Sequence, residues 1–260
     1  MKPLCDLLRL DGKHAVITGA AAGIGKFTAL RFAEAGASLH LIDIDEKGLE
    51  KTAEEARKYG VDVNTYNVDL SNAEMINNFW NQLNVTPDIL VNVAGIYPFK
   101  EFTEVSEDLL MKVLNVNLLA VFRMCQHFVK KVLASKKEGV IVNVSSIEAL
   151  VHVEPNLVHY TMTKGGIISL TRAIVRDYGA RGIRANVVLP GGIKTPGVMK
   201  TASKLGPKAI KIGKEFINRV PARRLGEPDE VARIILILAS PVASYINGAV
   251  LAIDGGLSVT

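Results

Sequence analysis

Cysteine is nearly absent from this chain, with Cys5 and Cys125 the only two in 260 residues. Two thiols cannot build a disulfide framework, so stability has to come from a packed core, and a reducing cytosol suits the protein. Long apolar runs are missing too. The longest, Ile234 to Ala239, is far too short to cross a bilayer. Met1 to Lys13 carries Asp6, Arg9 and Asp11 among its apolar residues and offers no small-residue cleavage site, which argues against a secretory signal. Neither sign of charge dominates: 31 Lys and Arg against 26 Asp and Glu leave a formal +5. That gives a nucleic-acid partner little support. The five histidines are scattered, and His152 and His159 lack a ligand-type spacing, so no metal is expected. No internal repeat, low-complexity stretch or linker interrupts the chain. The expectation is a cytoplasmic protein with one domain over residues 1–260.

Hydrophobic residues make up 48% of the chain and charged residues 22%, which supplies ample core. Strand-like runs recur at His14–Thr18, Ser38–Ile42, Asp62–Tyr66, Ile89–Asn92, Val140–Val144, Arg184–Leu189 and Ala249–Ile253. Helical patterns lie between them, near Ile24–Ala35, Glu46–Tyr59, Asn72–Leu83, Glu107–Ala134, Val158–Tyr178 and Pro228–Leu238. Such alternation predicts an α/β fold, a single doubly wound, Rossmann-type domain. Its seven-stranded, mostly parallel sheet carries helices on both faces. Ligands then bind at the carboxyl ends of the strands. The stretch from Thr195 to Leu225, with Pro196, Gly197, Gly206, Pro207, Gly213 and Pro221, breaks the alternation. It reads as an irregular or partly helical insert beside the site, of the kind that forms lids.

Thr18-Gly19-Ala20-Ala21-Ala22-Gly23-Ile24-Gly25 joins the first strand to the first long helix. Gly19 can adopt tight-turn angles, and Gly23 and Gly25 remove side chains that would hold a pyrophosphate off the backbone. The turn feeds a helix N-terminus, whose amide N–H groups and dipole attract anionic phosphate. Asp43 ends the second strand, about 20 residues past the glycines, where a carboxylate can hold the ribose hydroxyls of an adenosine. A 2′-phosphate there would meet like charge, with Asp45 and Glu46 following closely and no arginine in Ala20–Ala22. Lys26 lies inside the helix. The cofactor expected is NAD rather than NADP.

Tyr160 and Lys164 stand four apart on a helical stretch, hence on one face. Ser146 follows the strand Val140–Val144, so its hydroxyl projects at the sheet's carboxyl edge. Asn92-Val93-Ala94-Gly95 ends an earlier strand with small residues, Asn117 lies in the long helix after it, and Pro190-Gly191-Gly192-Ile193-Lys194-Thr195 follows the sixth strand. Singly, each has a bland reading as strand stop, helix cap or turn. Together, each falls at a strand end where a bound dinucleotide would lie.

From about Gly12 to Gly256 this combination resembles the classical short-chain dehydrogenase/reductase family. The pieces are the Thr18–Gly25 turn, Asp43, Asp69-Leu70, Asn92–Gly95, Asn117, Ser146, Tyr160, Lys164, Pro190–Thr195 and Ile253-Asp254-Gly255-Gly256. Val93 stands where the family more often has a second asparagine. The interval from Ser146 to Tyr160 is one residue longer than is commonest, which leaves Ser145 as an alternative serine.

The resemblance implies hydride transfer between a nicotinamide and a secondary alcohol or ketone, with Asn117, Ser146, Tyr160 and Lys164 as catalytic residues. Tyr160 would be the general acid/base, and Ser146 would hydrogen-bond the substrate oxygen. Lys164 would bind the nicotinamide ribose, and Asn117 would hold a water linking Lys164 to solvent. Cofactor contacts would come from Gly19, Ala22, Gly23, Ile24, Gly25, Asp43, Asp69, Leu70, Asn92, Ala94, Gly95, Tyr160, Lys164, Pro190, Gly191, Ile193 and Thr195. A free phenol titrates near pH 10, so work near neutrality needs about 3 pKa units of depression, about 4 kcal/mol. Lys164 and the nicotinamide cation are the charges that could supply it.

The substrate is not written in these motifs. Glu148, His152 and Glu154 could hydrogen-bond a polyol, or could be an exposed polar loop. Between Lys200 and Arg224 there are eight basic residues against Glu215 alone, which could draw an anionic substrate such as an acyl carrier. A sugar or other hydroxyl substrate is the first reading. A 3-oxoacyl-(acyl carrier protein) reductase is an alternative, as is a non-catalytic NAD-binding or sensing protein. Leu110, Val113, Leu114, Leu118, Phe122 and Phe128, with Ile167, Ile168, Leu170 and Ile174, exceed what one sheet face requires. The family resemblance implies that these helices pair across a two-fold axis and that Leu257–Thr260 forms a second contact, giving a homotetramer.

Overall fold

A computed structural model describes residues 2–204 and 208–260 of the chain. A short helix, α1 (Leu4–Leu7), precedes the alternating elements. These are β1 (His14–Thr18), α2 (Gly23–Glu34), β2 (Ser38–Asp43), α3 (Glu46–Arg57), β3 (Val63–Asn67), α4 (Ala73–Gln82) and β4 (Ile89–Asn92). Then come α5 (Glu107–Leu114), a π-helical turn (Asn115–Leu119), α6 (Ala120–Ala134), β5 (Gly139–Val144) and α7 (Val158–Tyr178). The chain closes with β6 (Ile183–Pro190), α8 (Pro196–Lys204), α9 (Lys208–Arg219), α10 (Pro228–Ala239) and β7 (Val250–Ile253).

All seven strands lie in one parallel sheet, in the order β3-β2-β1-β4-β5-β6-β7. Central strands such as Ile89–Asn92 are buried along their whole length, as strands covered on both faces must be. On one face α2, α3 and α10 bury Phe32, Leu49 and Ile235 against Leu39, Leu41 and Val91. On the other, α4, α6 and α7 bury Phe79, Trp80, Met124, Phe128 and Ile167 against Leu90, Ile141 and Val187. Arg31 on α2 holds Asp229 on α10 through two hydrogen bonds of 2.6 and 2.7 Å, fixing those two helices across the first layer. The order reverses between β1 and β4, and this switch point opens a crevice at the strands' carboxyl ends.

One segment differs from the sequence reading and a second is made definite. The long helix expected over Glu107–Ala134 is interrupted by the π turn, because Asn117 is drawn inward to bond a neighbouring loop. The stretch read as irregular or partly helical holds α8 and α9, since Pro196 sits at a first helical position, where its missing N–H costs nothing. The part of that expectation resting on Gly206 and Pro207 lies outside the described residues. Val113, Phe128, Ile167, Ile168 and Ile174 are buried in the chain's own core, while Phe122 stays exposed.

Candidate active site

The crevice is built first by Thr18. Its Oγ1 accepts from the Val93 and Ala94 amides at 3.1 and 3.3 Å, pinning the end of β4 against the end of β1. Gly19 is left-handed (φ 70°), and a Cβ there would lie 2.8 Å from the Ala94 nitrogen, so no side chain fits. Gly25 packs α2 equally close, with an ideal Cβ 2.0 Å from the Gly19 carbonyl oxygen. The N-termini of α3, α4 and α5 are capped by the side chains of Asp45, Asn72 and Ser106. That of α2 is not: Ala22 has no capping side chain and the first turn carries no acid. An uncapped amide cradle with this backbone is what a pyrophosphate fits. Gly23 (φ 54°) brings the cradle beside Thr195, whose Oγ1 accepts from the Val198 amide at 3.3 Å at the start of α8.

The other residues anticipated for a cofactor fall into two groups. Asp43 Oδ2 accepts from the Ala21 amide at 2.9 Å and Oδ1 from the Asp45 amide at 3.0 Å, which places the carboxylate against the glycine turn. Lys26 is held by Glu55 at 2.8 Å, away from that carboxylate. Asp69 Oδ1 accepts from the amide and hydroxyl of Ser71, and Leu70 is buried beside it. Ala94, Gly95, Pro190, Gly191 and Ile193 line the strand ends, with Ile193 bridging to Gly226. Asn92 differs. Its amide turns into the sheet interior and donates to Asn143 Oδ1 at 2.8 Å, so its side chain braces β4 on β5.

Ser146, Tyr160, Lys164 and Asn117 converge at the end of β5. Ser145 is turned away, its hydroxyl donating to the Lys164 carbonyl at 2.7 Å, and this leaves Ser146 as the serine beside Tyr160. Ser146 Oγ also accepts from the Glu148 amide at 3.2 Å. Lys164 is buried, donates to the Val144 carbonyl at 3.0 Å and lies 5.6 Å from the Tyr160 ring centroid. Burial pulls its ammonium down to about 8. The Tyr160 phenol moves the opposite way from the depression expected of it. Burial pushes it up to about 12, opposed by the nearby Ser146 hydroxyl and reinforced by Glu148 and Tyr97.

Asn117, fully buried, accepts from the Ile96 amide and donates to the Ile96 carbonyl, both at 2.8 Å, and reaches Thr163 Oγ1 at 3.3 Å. A Cβ on Gly95 would stand 3.3 Å from Asn117 Oδ1 and 3.4 Å from Lys164 Nζ, so the loop after β4 passes close to both side chains.

Glu148, read from the sequence as a polyol contact, and His159, read only as no metal ligand, hold the loops flanking this cluster. Glu148 is buried and accepts from the Val153 and Glu154 amides at 3.2 and 3.0 Å. Its carboxylate, raised by burial, therefore braces a loop where a polyol contact was entertained. Arg219 of α9 donates to the Val153 carbonyl at 3.0 Å from the other side. His159, also buried, donates from Nε2 to the Pro98 carbonyl at 2.8 Å. Its adjacency to Tyr160 was the one sequence signal. Among the basic residues of the 200–224 run, Arg224 is paired with Glu230 at 2.7 Å. The part of that run at residues 205–207 lies outside the described residues. Among the described residues, no three His, Cys, Asp or Glu side chains come together as a metal site, and no helix is long and apolar enough to cross a membrane.

A family model described as enoyl-(acyl carrier protein) reductase matches residues 19–258. A 3-oxoacyl-(acyl carrier protein) reductase from Thermotoga maritima is 36% identical over 255 residues, covering 97% of this chain and 100% of the relative. A 2-keto-3-deoxy-L-fuconate dehydrogenase from Xanthomonas campestris is 34% identical over 256 residues, covering 98% of this chain and 83% of the relative. The crystal structure of a candidate NAD(P)-dependent gluconate 5-dehydrogenase from Beutenbergia cavernae, with NADP bound at low occupancy, superposes with a TM-score of 0.90. It is 31% identical and the match covers 97% of this chain and 99% of that one.

Proposed function

The chain belongs to the short-chain dehydrogenase/reductase family, and we propose that within it this protein is an NAD-dependent dehydrogenase for a secondary alcohol of a sugar or related hydroxyl substrate. The membership makes it an oxidoreductase acting between hydroxyl and keto groups. The observation that carries the reading is the Ser146–Tyr160–Lys164 cluster facing a switch-point crevice with an uncapped phosphate cradle.

When bound, the nicotinamide cofactor supplies the hydride acceptor or donor. The chain's residues supply the rest. Ser146 orients the substrate oxygen through its hydroxyl, and Tyr160 takes the hydroxyl proton in oxidation or returns it in reduction. Lys164 anchors the ribose and places its charge near the phenol. Because burial works against an ionised Tyr160, the depression toward neutrality must come from charge assembled with the cofactor rather than from the framework alone. Asn117 acts by fixing Ile96 and Thr163, and so the loop and helix on either side of Lys164.

Asp43 supports NAD over NADP. A ribose 2′-phosphate beside it would face a carboxylate already bound to the Ala21 amide, with Lys26 taken by Glu55. The full-length likeness to the Thermotoga maritima 3-oxoacyl-(acyl carrier protein) reductase favours a second reading, reduction of an acyl thioester. We further propose one catalytic domain and a homotetramer, with exposed Phe122 between α6 and the partner's copy. Light scattering at micromolar concentration should give four times the 28.1 kDa chain mass. The chemistry is tested by nicotinamide absorbance with aldoses, sugar acids, simple secondary alcohols and 3-hydroxyacyl thioesters. Turnover of sugars or sugar acids with NAD upholds the first reading, turnover of thioesters alone upholds the second, and no turnover of any class overturns both.

A further inference from the structure

The loop after β4 is held at unusual density around one residue. Asn117 takes both backbone groups of Ile96, His159 takes the Pro98 carbonyl, and the Lys100 amide donates to the Asn156 carbonyl at 2.9 Å. Tyr97 sits between these anchors, so its backbone cannot give way. Its ring meets Tyr160 edge-on, with centroids 6.2 Å apart and planes at 70°. Its hydroxyl oxygen is buried at the other end of the ring, against α8. There, an ideal Cβ on Gly197 would lie 2.4 Å from Tyr97 Oη, 3.4 Å from Cζ and 3.8 Å from Cε1. Only a residue without a side chain lets the first turn of α8 approach so near.

We propose that Tyr97 and Gly197 form a positioning pair that seats α8 over the crevice and, through the Tyr97 ring, holds the Tyr160 phenol where it reacts. The inference rests on the reading of Tyr160 as the acid/base. A methyl on residue 197 would push the Tyr97 hydroxyl, and with Ile96 and Pro98 fixed the displacement passes to the ring edge against Tyr160. Removing the hydroxyl deletes the atom at 2.4 Å and leaves ring carbons at ordinary contact distance. The two positions are therefore complementary in size.

The test is a double-mutant cycle with Gly197→Ala, Tyr97→Phe and the pair combined, measured for kcat, KM and thermal midpoint. Gly197 is helical, so alanine there strengthens the helix and a loss cannot come from weakening it. Gly213 of α9 has nothing within 4 Å of its Cβ position, and Gly213→Ala is the control that should leave activity unchanged. Gly197→Ala is expected to lower kcat about tenfold or more, since a misplacement of about 1 Å can cost about 10²-fold. Adding Tyr97→Phe should restore most of that loss. Full activity in Gly197→Ala overturns the proposal, and so does a loss that Tyr97→Phe fails to rescue. If Gly197→Ala does not fold, a double variant that folds and turns over upholds the pair, and one that does neither overturns it. A Tyr160→Phe variant that keeps turnover would overturn the acid/base reading instead, while the rescue would still reveal the contact.

Discussion

The hydroxyl of Ser145 donates to the backbone carbonyl of Lys164 at 2.7 Å, and this bond sorts two adjacent serines into different work. It fastens the end of β5 to α7 and turns the next residue, Ser146, toward Tyr160. Ser145→Ala should therefore cost about 1 kcal/mol of stability, the worth of one buried hydrogen bond, and leave much of the turnover. Ser146→Ala should keep its stability and lose about 10²-fold in kcat, as for one donor to a developing oxyanion. Urea midpoints and initial rates on both variants check the pair, and a Ser145→Ala enzyme as slow as Ser146→Ala would reverse the assignment.

Tyr160→Phe keeps the ring that packs against Tyr97 and deletes the proton carrier. Turnover is expected to fall by about 10²–10⁴-fold, the usual contribution of a positioned acid/base. Cofactor affinity, followed by protein fluorescence, should change little. More than a tenth of wild-type turnover would exclude the phenol from the chemistry.

The position of Asp43 predicts that kcat/KM for NAD exceeds that for NADP by at least about tenfold, or about 1.4 kcal/mol. Asp43→Ser should narrow the ratio by relieving the repulsion. An enzyme that prefers NADP would show that the Ala21–Asp43 contact serves the turn alone.

His40 gives stability a pH dependence. Burial, with His14 3.4 Å away and Tyr66 on the other ring nitrogen, holds its imidazole down at about 4. In the unfolded chain it titrates near 6.5. The unfolded state therefore binds the proton first, so this share of stability is complete above about pH 6.5 and is lost as pH falls through about 4. Its ceiling is about 3 kcal/mol at about 1.36 kcal/mol per unit. Urea midpoints between those pH values should slope less in His40→Gln, and identical slopes would rule the imidazole out.

The strands were legible because each is a short apolar run bounded by breakers, and the observed ends shift by a residue or so, as at Asp43 and Asn67. The site motifs were legible because they fall at those ends. What sequence could not show was how side chains are used up locally. Glu148 looks like a polar loop residue until its carboxylate is seen holding two amides. Asn92 reads as a strand-end contact until it turns inward to Asn143. The rise of the Tyr160 phenol follows from desolvation, which depends on everything packed round it and leaves no local mark in the chain. Likewise the bounds of α8 and α9 were hidden by glycines whose neighbours, in one case Tyr97 and in the other open space, are set by the fold.

The π turn at Asn115–Leu119 carries a consequence for how such a chain can decay. Deleting one residue there would let α5 and α6 run on as a single regular helix with its two halves still in phase, because the wide turn already holds one residue more than an α-helical turn. The straightened helix would gain regular hydrogen bonds, while Asn117 would lose its grip on Ile96. A descendant that kept the nucleotide cradle and abandoned the chemistry would have no reason to retain the irregularity. The first mark of a retired enzyme in this lineage should be one missing residue in the middle of a helix, before any change at Tyr160 itself.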